Sequence, residues 1–411
     1  MNLNMSFLNK KVLAQQVARI DLRRIKSTLV VTHNARSGAH LFSNLMDNHS
    51  EILSCPPDSL PWIIEKIDTK CFESIINTNK IMPESLVDWI TTNCPLLFKT
   101  QNNERNNKSV LARTDLSGFR VTVSMLVAVD TFRLIAENLI AAHMKKYNND
   151  IRASDILSLI HWTYALARRR LISTDTPIIC WQRHNFIPNK ALANIISNTI
   201  NPIFITTMRQ FEDALDSFLS WLRPHYKTKA IMFRVCMISF ACNLNKRQTS
   251  APQWAVKFEH MHTQTDSLMK NICKKLNIGF EPTLLETTLD GEPCIWNVRS
   301  KLITGTNKKL RRREKFTILN NADIIFINLL FARRYKHFGY NHQDATIEFT
   351  KIDPSNLSFH DLVRYLEAVQ VSGRSYLANL TFETNPDNLL NLRNILSHSW
   401  HPDLQPLDLI N

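Results

Sequence analysis

Residues 29 to 46 carry the most chemically informative pattern in this chain. An apolar, β-branched run leads into a short polar loop that contains Arg36, Ser37 and Gly38, and apolar residues then return at helical spacing. The pattern predicts a strand, a loop and a helix. This arrangement favours the binding of a phosphate-like anion, which would meet the loop N–H groups, the positive end of the helix dipole, the guanidinium and the hydroxyl. Glycine is scarce, at 7 of 411 residues, so Gly38 suggests a close approach of backbone to ligand.

A second junction of strand and helix carries another arginine. Residues 201–209 predict a short strand that ends in Arg209, and Gln210 begins a helix in which Ser217 follows the arginine by eight residues. A residue at the carboxyl end of a strand and one two turns into the next helix converge on one phosphate in the crevice outside the sheet. The spacing alone is common, and the interpretation depends on the preceding strand and on the loop at Arg36.

Two further patches predict regular elements. Residues 254–261 predict a strand that ends near Phe258, and an amphipathic helix is expected from Thr265 to Leu276. A last helix is expected over 325–338, followed by Gly339 and Tyr340.

Together these patches resemble the sulfotransferases that use 3′-phosphoadenosine 5′-phosphosulfate (PAPS). The loop at Arg36 is similar to the family's 5′-phosphosulfate loop, Arg209 with Ser217 to its 3′-phosphate site, and 254–261 to its strand ending in Tyr-Glu-Asp-Leu. A kinase P-loop is excluded, because its second glycine and its Lys-Ser/Thr pair are missing. The basic segment 305–313 lies where the family has a loop over the nucleotide, and a solvated basic turn is the alternative.

The resemblance spans about residues 26–342 and implies an α/β fold, a central parallel sheet flanked by helices like that of P-loop NTPases. It implies sulfuryl transfer from PAPS to a hydroxyl or amine, without a metal. The residues implied to bind PAPS are Arg36, Ser37, Gly38, Ala39, His40, Leu41, Arg209, Ser217 and Phe258. Ala39 and His40 stand where members often have Thr or Ser, and Phe258 replaces a Tyr. These departures leave open a catalytically impaired, sulfotransferase-like binding protein.

Two residues are implied to be catalytic, His184 as the base and Arg36 as stabiliser of the leaving phosphate. His184 follows an expected strand, 178–183, at the sheet edge that also carries Arg36 and Arg209, and histidine suits proton abstraction near neutral pH. A surface or capping histidine is the alternative. Arg183 stands where relatives carry a Lys, and His40 is a rival base because it lies on the loop itself.

The chain, at 411 residues, is longer than the roughly 250–300 residues that a single hydrophobic core usually supports. We expect a sulfotransferase-like domain over 1–342 and a C-terminal helical extension over 343–411. The domain is expected to begin with an amphipathic helix over 4–25 that packs on the core, and a peripheral membrane role for this helix is the weaker alternative. A helical insertion over about 56–175, with helices over 121–147 and 154–171, is expected to cover the site and select the acceptor.

The net charge is +14, and residues 343–411 carry nine acidic against four basic residues, so the positive charge lies in the preceding part. A polyanionic nucleotide co-substrate fits this charge. A nucleic-acid partner is the weaker alternative, because no recognition motif accompanies the charge. The acceptor stays open among carbohydrates, lipids and small molecules.

Eight cysteines are scattered without metal-ligand spacing, which favours buried free thiols. No apolar run approaches about 18 residues and the first residues lack a signal-peptide core. These features predict a cytoplasmic protein without a transmembrane segment.

Overall fold

The structure is a computed structural model that describes residues 10–33, 36–55, 82–93, 97–99, 127–184, 201–221, 240, 245–246, 249–289, 291–293, 295–298, 301–308, 316–340 and 405–411. Its helices are α1 Lys10–Arg19, α2 Ala39–Met46, α3 Pro83–Asn93, α4 Val129–Lys146, α5 Ala153–Ala167, α6 Phe211–Trp221, α7 Phe258–Thr263, α8 Thr265–Leu276 and α9 Asn321–His337, with a 3₁₀ turn at Pro282–Leu285. Its strands are β1 Ser27–His33, β2 Ile52–Ser54, β3 Phe98–Lys99, β4 Val127–Ala128, β5 Ile178–His184, β6 Pro202–Met208, β7 Gln253–Lys257, β8 Thr288–Leu289, β9 Glu292–Pro293, β10 Ile295–Val298, β11 Lys301–Thr304 and β12 Asp408–Ile410.

Six of these strands form one sheet in the order β12-β7-β6-β1-β5-β2, and every pairing in it is parallel. The chain leaves β1 through α2 toward β2 on one side, and it leaves β6 through α6 toward β7 on the other. The two connections diverge, so the carboxyl ends of β1 and β6 flank a crevice of the kind in which α/β proteins bind ligands. The predicted α/β class, a parallel sheet flanked by helices, is confirmed.

Both faces of the sheet are buried, as the apolar sequence of β1 predicts. On one face Val30, Ile179 and Phe204 pack with α3, α4 and α5. On the other face Leu29 and Ile205 pack with α2 and α8. Alternate residues of each strand therefore face different helical layers.

Several predicted helices occur with different bounds. α8 begins and ends where its apolar spacing predicts, and Asn277 ends it in the left-handed conformation at φ 53°. The helix expected over 121–147 begins at Val129, because 127–128 pair with β3. The helix expected over 154–171 ends at Ala167, and α1 covers 10–19 of the expected 4–25. Beyond α1, Leu22 and Ile25 are buried in non-helical chain.

The C-terminal helical extension expected over 343–411 stays a prediction, because most of it lies outside the described residues. Residues 341–404 lie outside the described residues, but Asp408–Ile410 form β12 and pair in parallel with β7. Ile410 is buried in the core on the α2 side of the sheet. The last residues therefore contribute an edge strand to the main sheet.

Within the described residues, the helices are all too short or too polar to cross a bilayer. The described cysteines, Cys55, Cys180 and Cys273, are free thiols, and the latter two are buried.

Candidate functional site

The predicted anion-binding loop lies between β1 and α2. Gly38 is the N-cap of α2 in the left-handed conformation, at φ 96°, and its carbonyl accepts a 3.0 Å hydrogen bond from the N–H of Phe42. Arg36 also has a positive φ, 63°. An arginine in this region costs roughly 1–2 kcal/mol. Such strain is concentrated at ligand clamps, and here it occurs where the sequence predicts an anion site.

Gly38 is required by its packing as well as by its backbone angle. A Cβ at this position would lie 2.4 Å from Cδ2 of Phe258 and 2.9 Å from Cε of Met261. Phe258 begins α7, directly after β7. The sequence suggested that a ligand explains this glycine, whereas the structure explains it by a tight contact between the loop and α7.

Arg209, one residue beyond β6, reaches the same loop. Its Nη1 lies 3.5 Å from the carbonyl oxygen of Arg36, a long hydrogen bond, and its guanidinium carbon lies 4.6 Å above the ring of Phe258. Burial and the neighbouring charge of Arg209 lower the pKa of Arg36. The two predicted arginines are thus brought together across the crevice, where their mutual repulsion favours an anion.

Hydroxyl contacts join β1 to β6 beneath these arginines. Thr32 and Thr206 are register partners, and their hydroxyl oxygens lie 2.7 Å apart. The hydroxyl of Ser37 is buried 3.2 Å from that of Thr207. The predicted phosphate-binding hydroxyl of Ser37 therefore also ties the loop to β6.

Helix α6 begins after Arg209 and is held firmly against α9. The hydroxyl of Tyr335 donates a 2.5 Å hydrogen bond to Oε2 of Glu212 and accepts one from the N–H of Phe211. One carboxylate oxygen of Asp216 accepts three N–H bonds of 2.7–3.2 Å from residues 317–319. Ser217 is half-buried in the second turn, so its place on α6 is well defined, and its contact with a phosphate stays a prediction.

A histidine connects α7 to the start of the basic loop. Nδ1 of His262 accepts a 3.0 Å hydrogen bond from the N–H of Asn307, and its ring meets that of Phe258 edge-on at 4.6 Å. Burial and the charge of Arg209 lower the pKa of His262 to about 4. Asn307 therefore contacts a neutral imidazole beside the crevice, whereas residues 309–315 lie outside the described residues.

Sequence reasoning missed a partly buried carboxyl group at this site. Oε2 of Glu259 accepts a 3.1 Å hydrogen bond from the hydroxyl of Tyr340, and Lys257 lies 4.7 Å above the ring of that tyrosine. Burial raises the pKa of Glu259, against the opposing effects of Arg209 and Tyr340. The Gly-Tyr pair after α9 and the acidic residue after Phe258 were visible in the sequence, but 81 residues separate the partners.

His184 ends β5, in register with His33 at the end of β1. Its backbone thus lies at the same sheet edge as the loop, while its side chain and that of Arg183 lie outside the described residues. His184 as the base stays a prediction.

The remaining predicted loop residues begin α2. Ala39 and Leu41 are buried in the core on that face of the sheet. His40 is half-buried, and its Nδ1 lies 2.9 Å from Nε2 of Gln182 on β5, a partner that sequence reasoning also missed.

The far end of α2 is anchored by Asp47. Its carboxylate pairs with Arg170 at 3.2 Å and accepts hydrogen bonds from Ser54, Thr288 and the N–H of Gly291. Both charged side chains are over nine-tenths buried, which makes loss of one partner costly. The helix that carries the loop is therefore rigidly held.

Clusters of three or more metal-ligating side chains are absent from the described residues.

Comparisons with known proteins find only remote similarity. No protein-family model matches the chain, and no curated protein matches it significantly. Among solved structures, the sulfotransferase domain from the curacin biosynthetic pathway is 13% identical with a TM-score of 0.35, over 76% of this chain and 97% of that one. The sulfotransferase domain from the Synechococcus PCC 7002 olefin synthase is 13% identical with a TM-score of 0.33, over 64% and 77%. The strand order and the parallel pairing of the sheet define its α/β class independently of these similarities.

Proposed function

We propose that this protein is a sulfotransferase that uses PAPS as the sulfuryl donor. The convergence of Arg36 and Arg209 on the crevice between β1 and β6 carries this proposal. Two half-buried guanidinium groups and the N-terminus of α2 make a strongly anion-attracting site. Arg36 follows β1 and Arg209 follows β6, so we assign them to the two separate anionic groups of the donor.

The two ends of the site bind different parts of the donor. Arg209 and Ser217 hold the 3′-phosphate, and Arg36 with the amides at the start of α2 holds the phosphosulfate. When bound, PAPS supplies an activated sulfuryl group. Arg36 and the helix dipole stabilise the charge that builds on the leaving phosphate, and His184 removes the proton of the acceptor hydroxyl. Fixed positions and fixed charges supply most of this catalysis.

The described residues fit such a donor. The strained backbone of Arg36 is of the kind found at ligand clamps, and the repulsion that lowers the pKa of Arg36 is relieved by a bound anion. The network of Asp47 and Arg170 holds α2 rigid, which a preorganised site requires.

Titration calorimetry with 3′,5′-bisphosphoadenosine tests this function. We expect saturable micromolar binding to the full chain. Binding followed by sulfuryl transfer from PAPS to a member of a panel of hydroxyl acceptors supports the enzyme, whereas binding without transfer would favour a sulfotransferase-like binding protein. No binding of the bisphosphate, together with tight binding of an oligonucleotide, would replace the proposal with a nucleic-acid function.

A further inference from the structure

We propose that Gln182 holds His40 in the tautomer that carries its proton on Nε2. In this tautomer His40 donates a hydrogen bond to the anion held by the 36–38 loop and is not the catalytic base. The role of His40 rests on the proposed function, whereas the tautomer does not. Gln182 is a positioning residue in this arrangement.

The two side chains meet between α2 and β5. Gln182 lies on the same face of β5 as Ile178 and Cys180, which pack in the core that contains α2. Gln182 is 4% exposed, and its Nε2 lies 2.9 Å from Nδ1 of His40. The amide of a buried residue therefore contacts the ring of a half-buried one.

The chemistry of an amide nitrogen assigns the proton. The amide of Gln182 turns Nε2 toward Nδ1 of His40, while its Oε1 is buried without a hydrogen-bond partner in the described part of the chain. A primary amide nitrogen donates hydrogen bonds and does not accept them, so in this orientation Nδ1 of His40 is the acceptor. A neutral imidazole has one acceptor and one N–H, which places the proton on Nε2. An Nε2 that carries a proton has no lone pair with which to abstract another.

His40 lies at a position from which we expect the Nε2–H to donate a hydrogen bond to the bound anion. His40 is the second residue of α2, two residues beyond Gly38 and in the turn whose backbone N–H groups and dipole attract an anion. The ring is half-buried. A neutral donor at this position adds to the loop amides and Arg36 without adding a charge next to Arg209.

Two substitutions of His40 distinguish a hydrogen-bond donor from a catalytic base. The amide of His40→Gln replaces the Nε2–H donor, whereas His40→Ala removes it. With 3′,5′-bisphosphoadenosine we expect His40→Ala to lose about tenfold or more in affinity and His40→Gln to stay within about threefold of the natural protein. Adenosine 3′-monophosphate, which lacks the 5′ anion, is expected to bind all three proteins alike. Equal losses for Gln and Ala would overturn the donor role.

The tautomer is measured without any ligand. In ¹⁵N-histidine-labelled full-length protein, the ring signals missing from His40→Gln identify His40. We expect a pyridine-type shift for Nδ1 and a pyrrole-type shift for Nε2, and Gln182→Glu is expected to reverse them because a carboxylate accepts from Nδ1–H. A proton on Nδ1 in the natural protein would overturn the assignment.

A matched control is Gln253→Leu, because Gln253 is another buried glutamine of the sheet, at the opposite, amino-terminal end of β7. We expect Gln182→Leu to weaken bisphosphate binding about as much as His40→Ala, and Gln253→Leu to leave it unchanged. If the natural protein binds no bisphosphate, the proposed function and the donor role both fall. If it binds but Gln182→Leu binds equally well, only the inference about Gln182 is overturned.

Discussion

The guanidinium carbon of Arg209 lies 4.6 Å above the centroid of the Phe258 ring, and that ring is packed against Gly38 of the anion-binding loop. Phe258 thus joins the two arms of the crevice, the loop after β1 and the residue after β6. A stacked cation of this kind contributes roughly 0.5–2 kcal/mol. Phe258 positions Arg209 in the structure, while a direct contact of its ring with a nucleotide stays a prediction.

Arg209→Ala tests the assignment of the 3′-phosphate. We expect affinity for 3′,5′-bisphosphoadenosine to fall by about 1.5 to 3 kcal/mol, because charge-assisted hydrogen bonds are lost. Affinity for adenosine 5′-phosphosulfate, which lacks the 3′-phosphate, is expected to change little. Titration calorimetry measures both, and Arg19→Ala, at an exposed position of α1, controls for the change in net charge. Equal losses for both ligands would mean that Arg209 supports the fold and not the phosphate.

Gly38→Ala tests the contact between the loop and α7. The new Cβ would overlap with Phe258 and adopt a strained φ, so we expect a loss of about 2 to 4 kcal/mol in the free energy of unfolding. Denaturant titration measures this loss. Gly279→Ala is the control, because the nearest atom to its Cβ, Oε1 of Glu51, lies 3.7 Å away.

The double variant Gly38→Ala with Phe258→Ala removes the overlap with the Phe258 ring, the larger of the two, but keeps the strained φ and the contact with Met261. Its loss in the free energy of unfolding is therefore expected to be smaller than the sum of the two single losses, by about 1 kcal/mol or more. Additive effects would show that the two residues do not meet as described.

Glu259→Gln tests the titration of the partly buried carboxyl group that pairs with Tyr340. Its pKa is raised by burial, so the folded protein binds this proton more tightly than the unfolded chain, whose carboxyl titrates near 4.5. The stability of the natural protein relative to Glu259→Gln is therefore expected to fall as the pH rises from 4.5 through the raised pKa. Thermal denaturation of both proteins from pH 4.5 to 8 measures the difference, in which the shared histidine titrations cancel. Parallel curves would show that Glu259 does not titrate as inferred.

His184→Ala tests the catalytic base. We expect turnover to fall by roughly a hundredfold or more while PAPS affinity stays nearly intact, because proton abstraction acts in the transition state. The measurement is sulfuryl transfer to an acceptor found by screening, beside calorimetry with 3′,5′-bisphosphoadenosine. A folded variant with full activity would remove His184 from the mechanism, as would an experimental structure with its ring more than about 8 Å from the loop, beyond direct contact or one bridging water.

Local patterns in the sequence predicted the elements that carry the site. The β-branched run before Arg36 and the apolar spacing after Gly38 indicate β1 and α2, and the apolar residues of α8 recur every three or four positions. These signals lie within one element, so neighbouring residues suffice to show them. Glycine at position 38 was also recognised, although the reason for it, the ring of Phe258, lies 220 residues further along the chain.

The sequence by itself determined the strand, the loop and the helix at Arg36, and the strand and helix around Arg209. Only the tertiary structure decided that β1 pairs with β6 in the register that places Thr32 beside Thr206. This pairing brings Arg36 and Arg209 together. It also decided the pairing of Glu259 with Tyr340, of His40 with Gln182, and of β12 with β7. Periodicity is a property of consecutive residues, whereas the order of strands in a parallel sheet depends on how whole layers bury their apolar faces against one another.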